Sequence, residues 1–280
     1  MTDFSQADLS TRTVTDPFQA DFAIEGGGGS GPGSSCDYTP YCLDTNASDP
    51  DTVILGLAPF AYYPMGDASG LIQDASGNGN HASSVSGTPL YAQSPITTKA
   101  GNSIRFNGAH FVIPKPAVMD GAHAWSVVWL ERVAVFRGTG SPSQASPMLG
   151  IAETGKNGPL PLINSASGDL YVIWQDTGLA SYFSEANLIG RAAVIAMTAG
   201  PGNSQPQLYV DGVRWGAAQS GANPSLNPLT VGRSADGFWG WPDHRMSNLS
   251  TWDKVLTHAQ IITITEALAD AALFAGAVTL

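Results

Sequence analysis

The stretch from Ala61 to Ala82, AYYPMGDASGLIQDASGNGNHA, constrains the fold of this chain more than any other. A short aromatic run, Ala61-Tyr62-Tyr63-Pro64, precedes two tight polar turns and a Gly/Asn-rich loop, Asp74-Ala-Ser-Gly-Asn-Gly-Asn-His81. Glycine and asparagine accept positive φ, and aspartate and serine side chains bond nearby backbone N–H groups. The chain therefore leaves a strand here and turns sharply at the rim of a sheet.

Alternation continues downstream. Ser103-Ile-Arg-Phe-Asn107 puts Ile104 and Phe106 on one face, and Trp125 to Val133 is apolar enough for a central strand covered on both sides. Leu170 to Trp174, Ala192 to Thr198, Leu229 to Val231 and Met246 to Trp252 predict further strands. In Gln207-Leu-Tyr-Val-Asp-Gly-Val-Arg-Trp215 the Asp211-Gly212 pair predicts a type I′ hairpin. Only the segment after Thr257 has helical spacing, with Ile261, Ile264, Leu268 and Ala272 recurring at three and four behind a suitable N-cap. Charged residues make up only 12%, and 32 glycines and 19 prolines supply the turns. The expectation is an all-β, antiparallel two-sheet sandwich over residues 53–280, closed by a short C-terminal helix.

Residues 1–52 predict an extended arm and linker. The first 50 residues hold eight acids and one base, and the run Gly26 to Gly33 is a flexible linker by composition. Such an arm is either a disordered tail or a docking segment anchored by Phe4, Phe18, Phe22 and Ile24. Cys36 and Cys42 are too few for a metal site and leave two readings, a small disulfide loop or two free thiols. A net charge of −11 with no basic stripe excludes nucleic acid as an expected partner. No run approaches the ~18 apolar residues of a membrane span, and the N-terminus lacks the pattern of a signal peptide. Synthesis in a cytoplasm without membrane insertion is the expectation.

The order of these motifs resembles that of laminin-G-like (concanavalin A-like) jelly-roll domains. The aromatic strand and SGN loop come first, then Ser103-Ile-Arg-Phe-Asn-Gly108, a Trp-bearing strand and the Leu208-Tyr-Val-Asp-Gly212 hairpin. Val231-Gly-Arg233 and the closing Met246 to Ile261 segment complete the succession. The resemblance spans roughly residues 55–265 and implies a jelly roll that binds sugars or proteins. At Ser247-Asn248 this chain departs from the acidic pair usual in the family, so any calcium or rim role of that pair does not carry over.

Few residues suggest catalysis. A glycosidase needs two carboxyl groups about 5–9 Å apart, yet no Glu-x-Asp or Glu-x-x-x-Glu cluster occurs and Glu131 stands alone on its strand. The five histidines show no ligand spacing, and no Gly-x-Ser-x-Gly elbow is present. The expectation is a protein that is not an enzyme. Sugar binding needs aromatic faces with amides or carboxylates nearby. Trp239, Trp241, Asp243, His244 and Asn248 form the best candidate ligand site, the alternative being that the tryptophans pack against the sandwich edge. Asp67, Asp74, Asn78 and Asn80 offer oxygens to a possible calcium ion, the alternative being turn stabilisation. No cofactor is required.

An arm followed by one laminin-G-like domain also resembles the layout of phage minor tail proteins. That resemblance implies a non-enzymatic virion protein, located in the particle. Its partners would be other virion proteins, a host-surface glycan and further copies of itself. The alternative is a carbohydrate-active enzyme or its carbohydrate-binding accessory module.

Overall fold

A computed structural model describes residues 48–115, 124–137, 145–147, 149–151, 160–164, 170–173, 179–180, 190, 192–201, 207–217, 229–233 and 241–269. Phe4, Phe18, Phe22, Ile24, Cys36, Cys42 and Trp239 lie outside these residues. Of the arm expected over residues 1–52, only the last five are described.

Among the described residues every strand pairing is antiparallel, and the architecture is the expected β-sandwich. The strands in chain order are β1 (Ala61–Tyr63), β2 (Ser84–Ser86), β3 (Leu90–Gln93), β4 (Ser103–Asn107), β5 (His110–Ile113), β6 (Trp125–Arg137), β7 (Ala145–Pro147) and β8 (Leu149–Ile151). They continue as β9 (Leu160–Asn164), β10 (Leu170–Ile173), β11 (Leu179–Ala180), β12 (Ala192–Ala199), β13 (Gln207–Val210), β14 (Val213–Ala217), β15 (Leu229–Val231) and β16 (Trp241–Trp252). The large sheet runs β14-β13-β12-β6-β16-β4-β3, with β1 also paired to β16. A second sheet runs β2-β5-β15-β8, and a third group runs β11-β10-β9-β7.

Alternation along the large sheet decides what each face meets. Trp125, Val127 and Trp129 of β6, Ile195 and Met197 of β12, and Ile104 and Phe106 of β4 form one buried cluster. Phe111 and Ile113 of β5 and Leu229 and Val231 of β15 join them from the second sheet. This is the sandwich interior. Fully burying a tryptophan such as Trp125 or Trp129 contributes on the order of 3 kcal/mol.

The opposite, outer face of the large sheet is covered by helices. Val128, Leu130, Val194, Ala196, Tyr209 and Trp252 pack with Ile54 of α1 (Pro50–Gly56) and with Ile261, Ile264 and Leu268 of α2 (His258–Leu268). α2 is the expected helix: Thr257 and Gln260 form a reciprocal capping box. Its C-terminal carbonyls are taken by Thr97 Oγ1 on Leu268 at 2.7 Å and by Lys99 Nζ on Glu266 at 3.2 Å. α1 was not expected. Its signal is Asp49-Pro50, an N-cap aspartate accepting from Thr52 N–H at 2.9 Å with proline in the first turn. Seven residues are too few to show a helical period in sequence. Among the described residues no helix is long and apolar enough to cross a membrane.

The 207–215 hairpin forms as expected. Asp211 and Gly212 have φ of 51° and 78°, the two positive values a type I′ turn needs. The Asp211 carboxylate also accepts the Val194 N–H at 2.8 Å, tying the turn to β12.

Candidate functional site

The closing strand β16 positions most of the expected ligand residues, and it begins earlier than the sequence suggests. Trp241, Asp243 and His244 precede the strand expected over Met246 to Trp252. They lie instead in β16, opposite Arg137, Val135 and Val133 of β6. Pro242 lies within this strand although proline removes a ladder donor. It is accommodated because β4 pairs with β16 only from Asp243 onward.

Asp243 is buried and meets Arg105 of β4. The Arg105 Nε donates to Oδ1 at 2.6 Å and Nη2 to Oδ2 at 2.5 Å, a bidentate fork. The hydrogen bond and the charge of Asp243 together raise the Arg105 pKa.

His244 points into the sandwich interior and is fully buried. Its Nδ1 lies 2.5 Å from Glu131 Oε1, and its Nε2 lies 3.1 Å from the Gly232 carbonyl at the end of β15. The other Glu131 oxygen accepts the Trp129 indole N–H at 2.5 Å. Phe106 lies against the imidazole, with ring centroids 5.1 Å apart. The carboxylate of Glu131 and the Gly232 carbonyl thus flank the ring, one at each nitrogen. The network is closed on itself and links both layers of the sandwich. Gly232 permits the approach: its φ is 105°, and a Cβ there would sit 2.2 Å from Phe106 and 2.7 Å from the Ala109 carbonyl.

Asn248, also buried, forms a β-bulge. Ser247 faces Leu130 and Ser250 faces Val128, so β16 carries one extra residue there, and Asn248 has φ of 52°. Its amide donates to the Tyr62 hydroxyl at 2.6 Å, and that hydroxyl donates to Asp51 of α1 at 2.5 Å. Burial first, then Asp51, raises the Tyr62 pKa. Of the five expected ligand residues, Asp243, His244 and Asn248 are thus engaged with internal partners. Trp241 sits on the same strand two residues from Asp243.

The Asp74 loop is built around hydrogen bonds. Asp74 accepts the N–H groups of Tyr62, Ser76 and Asn80, each at 2.9 Å, and the Ser76 hydroxyl at 2.8 Å. Burial opposes its charge, but these donors outweigh burial and lower its pKa. Asn78 and Asn80 direct their amide N–H groups at the Phe60 carbonyl, at 3.1 and 2.6 Å. The Tyr63 hydroxyl donates to the Asn80 carbonyl. Asp67 is held by the backbone of Gln73, next to Asp74 in the chain. Burial raises its pKa, against N–H groups of its own backbone and of Gln73. The loop polar groups therefore perform the turn-stabilising role, and a calcium ion at Asp74 would have to displace N–H donors from it. Among the described residues no group of three or more His, Cys, Asp or Glu side chains is placed to hold a metal ion.

Sequence reasoning missed the Glu131–His244 pair. Its signal was a lone glutamate in an otherwise apolar strand, but 113 residues separate the partners, and only strand order brings them together.

No protein-family model matches the chain, and no curated protein matches it in sequence. Solved structures do share its fold. A Trypanosoma rangeli sialidase in complex with the inhibitor DANA aligns with a TM-score of 0.53 at 12% identity, over 73% of this chain and 32% of that one. A botulinum neurotoxin serotype D/C binding domain aligns with a TM-score of 0.55 at 10% identity, over 77% and 53%. A structure described as a receptor binding domain aligns with a TM-score of 0.55 at 11% identity, over 80% and 54%. The chain thus spans about a third of the sialidase and about half of the two binding-domain chains. At these identities the likeness is one of fold: a β-sandwich shared with a sialidase and with toxin and receptor binding domains.

Proposed function

We propose that this chain is a recognition module whose β-sandwich binds a glycan without turnover. What supports the reading most is that the same sandwich recurs in binding domains and in a sialidase solved in complex with sialic acid. The placement of Glu131, the one glutamate on the large sheet's central strand, is compatible with this reading: it faces the interior and is held by Trp129 and His244. Most glycosidases, sialidases with their tyrosine nucleophile excepted, use two carboxyl groups flanking a bound sugar, and Glu131 is not placed to be one of them.

Trp239 and Trp241 are the aromatic platform on this reading. Replacing both by alanine abolishes binding to a glycan array or to host cells and leaves the circular dichroism spectrum unchanged. Undiminished binding by the double variant removes this site. The second reading, a module of a carbohydrate-active enzyme, is favoured by the sialidase likeness, and release of reducing sugar by the purified chain would support it.

Presentation on a virus particle is the finer part of the proposal and rests on the resemblance to phage minor tail proteins. Residues 1–52 would anchor the chain through Phe4, Phe18, Phe22 and Ile24 to neighbouring virion proteins. Many copies would then raise the effective concentration of weak sugar contacts. Deleting residues 1–33 prevents incorporation into particles on this reading, and normal incorporation of the truncated chain contradicts it.

A further inference from the structure

Three arginines stand in one row across the large sheet. Arg245 of β16 is directly opposite Arg105 of β4 on one side and Arg132 of β6 on the other. All three belong to the outer face, because their neighbours Met246, Ile104, Phe106 and Trp129 and the carboxylate of Glu131 fill the sandwich interior. The next row, at Leu130 and Val194, lies in the cluster that α1 and α2 cover. The arginine row therefore borders the helical cover. Arg132 is exposed, and the Arg105 side chain is 37% exposed.

Like charges directly opposite one another on a sheet oppose folding, and this row carries little to offset them. Arg105 is paired with Asp243, and Arg245 gives Nη1 to the neutral Ser94 carbonyl at 3.1 Å. Among the described residues no carboxylate pairs with Arg132 or Arg245. Burial lowers the Arg245 pKa, and the charges of Arg132 and Arg105 lower it further. The chain has only 12 Lys and Arg residues against 23 acids, so three adjacent, register-aligned arginines concentrate a quarter of its cations in one place.

We propose that the Arg105–Arg245–Arg132 row is an anion-binding site that takes the acidic group of a glycan, a carboxylate, sulfate or phosphate. Strands lie about 4.8 Å apart, so the three residues span roughly 10 Å, with the Arg105 Nε–Nη2 fork held by Asp243 and Arg132 and Arg245 supplying the further donors. That geometry suits planar or tetrahedral oxyanions better than lysine would. Trp241 lies four residues from Arg245 on the same strand, which places a candidate sugar platform and the anion site on one element. The acidic remainder of the molecule repels long polyanions. That charge balance favours a sugar bearing spaced acidic groups over a nucleic acid. The inference rests on the glycan-binding reading above and narrows its ligand class.

The test uses the full chain on an array of matched neutral and acidic glycans bearing uronate, sialate, sulfate or phosphate groups, with single-stranded DNA as a further probe. Arg132→Gln and Arg245→Gln are the variants. Arg105 is left intact because Asp243 depends on it. The expected result is selective binding of acidic members, weakened by added salt and reduced about tenfold or more by either variant, with a melting temperature that does not fall. Equal binding of neutral members, unaffected by the variants, overturns the anion site while leaving the glycan reading intact. Absence of binding to any glycan overturns both, and preference for DNA over every acidic glycan overturns the ligand assignment.

Discussion

The two faces of the large sheet hold charge in opposite ways on the same three strands. On the inner face Glu131 and His244 are fully enclosed, and every polar atom of the pair has a partner. On the outer face, one residue along each strand, Arg132 and Arg245 meet each other and Arg105 with a single carboxylate among them. Removing charges from water is tolerated when they neutralise one another and is strongly unfavourable when one is left alone. Placing like charges side by side is tolerated only near solvent. The inner cluster ties the two layers together through the Gly232 carbonyl, whereas the outer one sets like charges side by side near solvent.

The largest effect is expected on the inner face. Glu131→Ala leaves His244 and the Trp129 indole without an acceptor in a dry interior and should cost about 3–5 kcal/mol in urea unfolding. Gly232→Ala should be comparably damaging, since a methyl group there collides with Phe106 and the Ala109 carbonyl. A loss below about 1 kcal/mol in both would mean that the interior pair does not hold the layers.

A smaller loss is expected on the outer face. Arg105→Ala strips the buried Asp243 of its fork and should cost about 1–3 kcal/mol, discounted because Arg105 is partly solvated. Asp243→Asn with Arg105 retained should lose less, because no uncompensated buried charge remains.

The second sheet supplies a pH-dependent test. Burial first, then the Arg233 charge, lowers the His110 pKa from its ordinary value near 6.5. The fold thus favours neutral His110, and its contribution is full above about pH 6.5 and lost as pH falls through the lower folded value. His110→Leu should flatten the decline in stability as pH falls below about 6.5. Asp74 acts lower: its contribution is present above about pH 4 and disappears as pH falls through its depressed value. An unchanged pH profile in His110→Leu would show that His110 is not a source of that decline.

Much of the sandwich was legible because its signals are local. The Asp211-Gly212 turn, the alternation of Ile104 and Phe106, and the Thr257 capping box each act within a few residues. The Asp74 loop was legible for the same reason, although its asparagines turned out to serve the Phe60 carbonyl. What sequence could not give was register. The pairing of His244 with Glu131 and the alignment of three arginines arise from β16 lying between β6 and β4, a long-range arrangement with no local signature. The same gap explains why Asp243 and His244 read as surface ligands: adjacency to tryptophan in a Gly/Pro-containing segment resembles a loop until the strand pairing is known.

The most direct test of the contrast between the faces is the melting temperature of the Arg132→Gln, Arg245→Gln double variant at low salt. Relief of like-charge repulsion predicts a value equal to or above that of the unsubstituted chain, with the difference shrinking as salt is added. A fall of several degrees would contradict the account, because it would make the arginine row part of what holds the fold together.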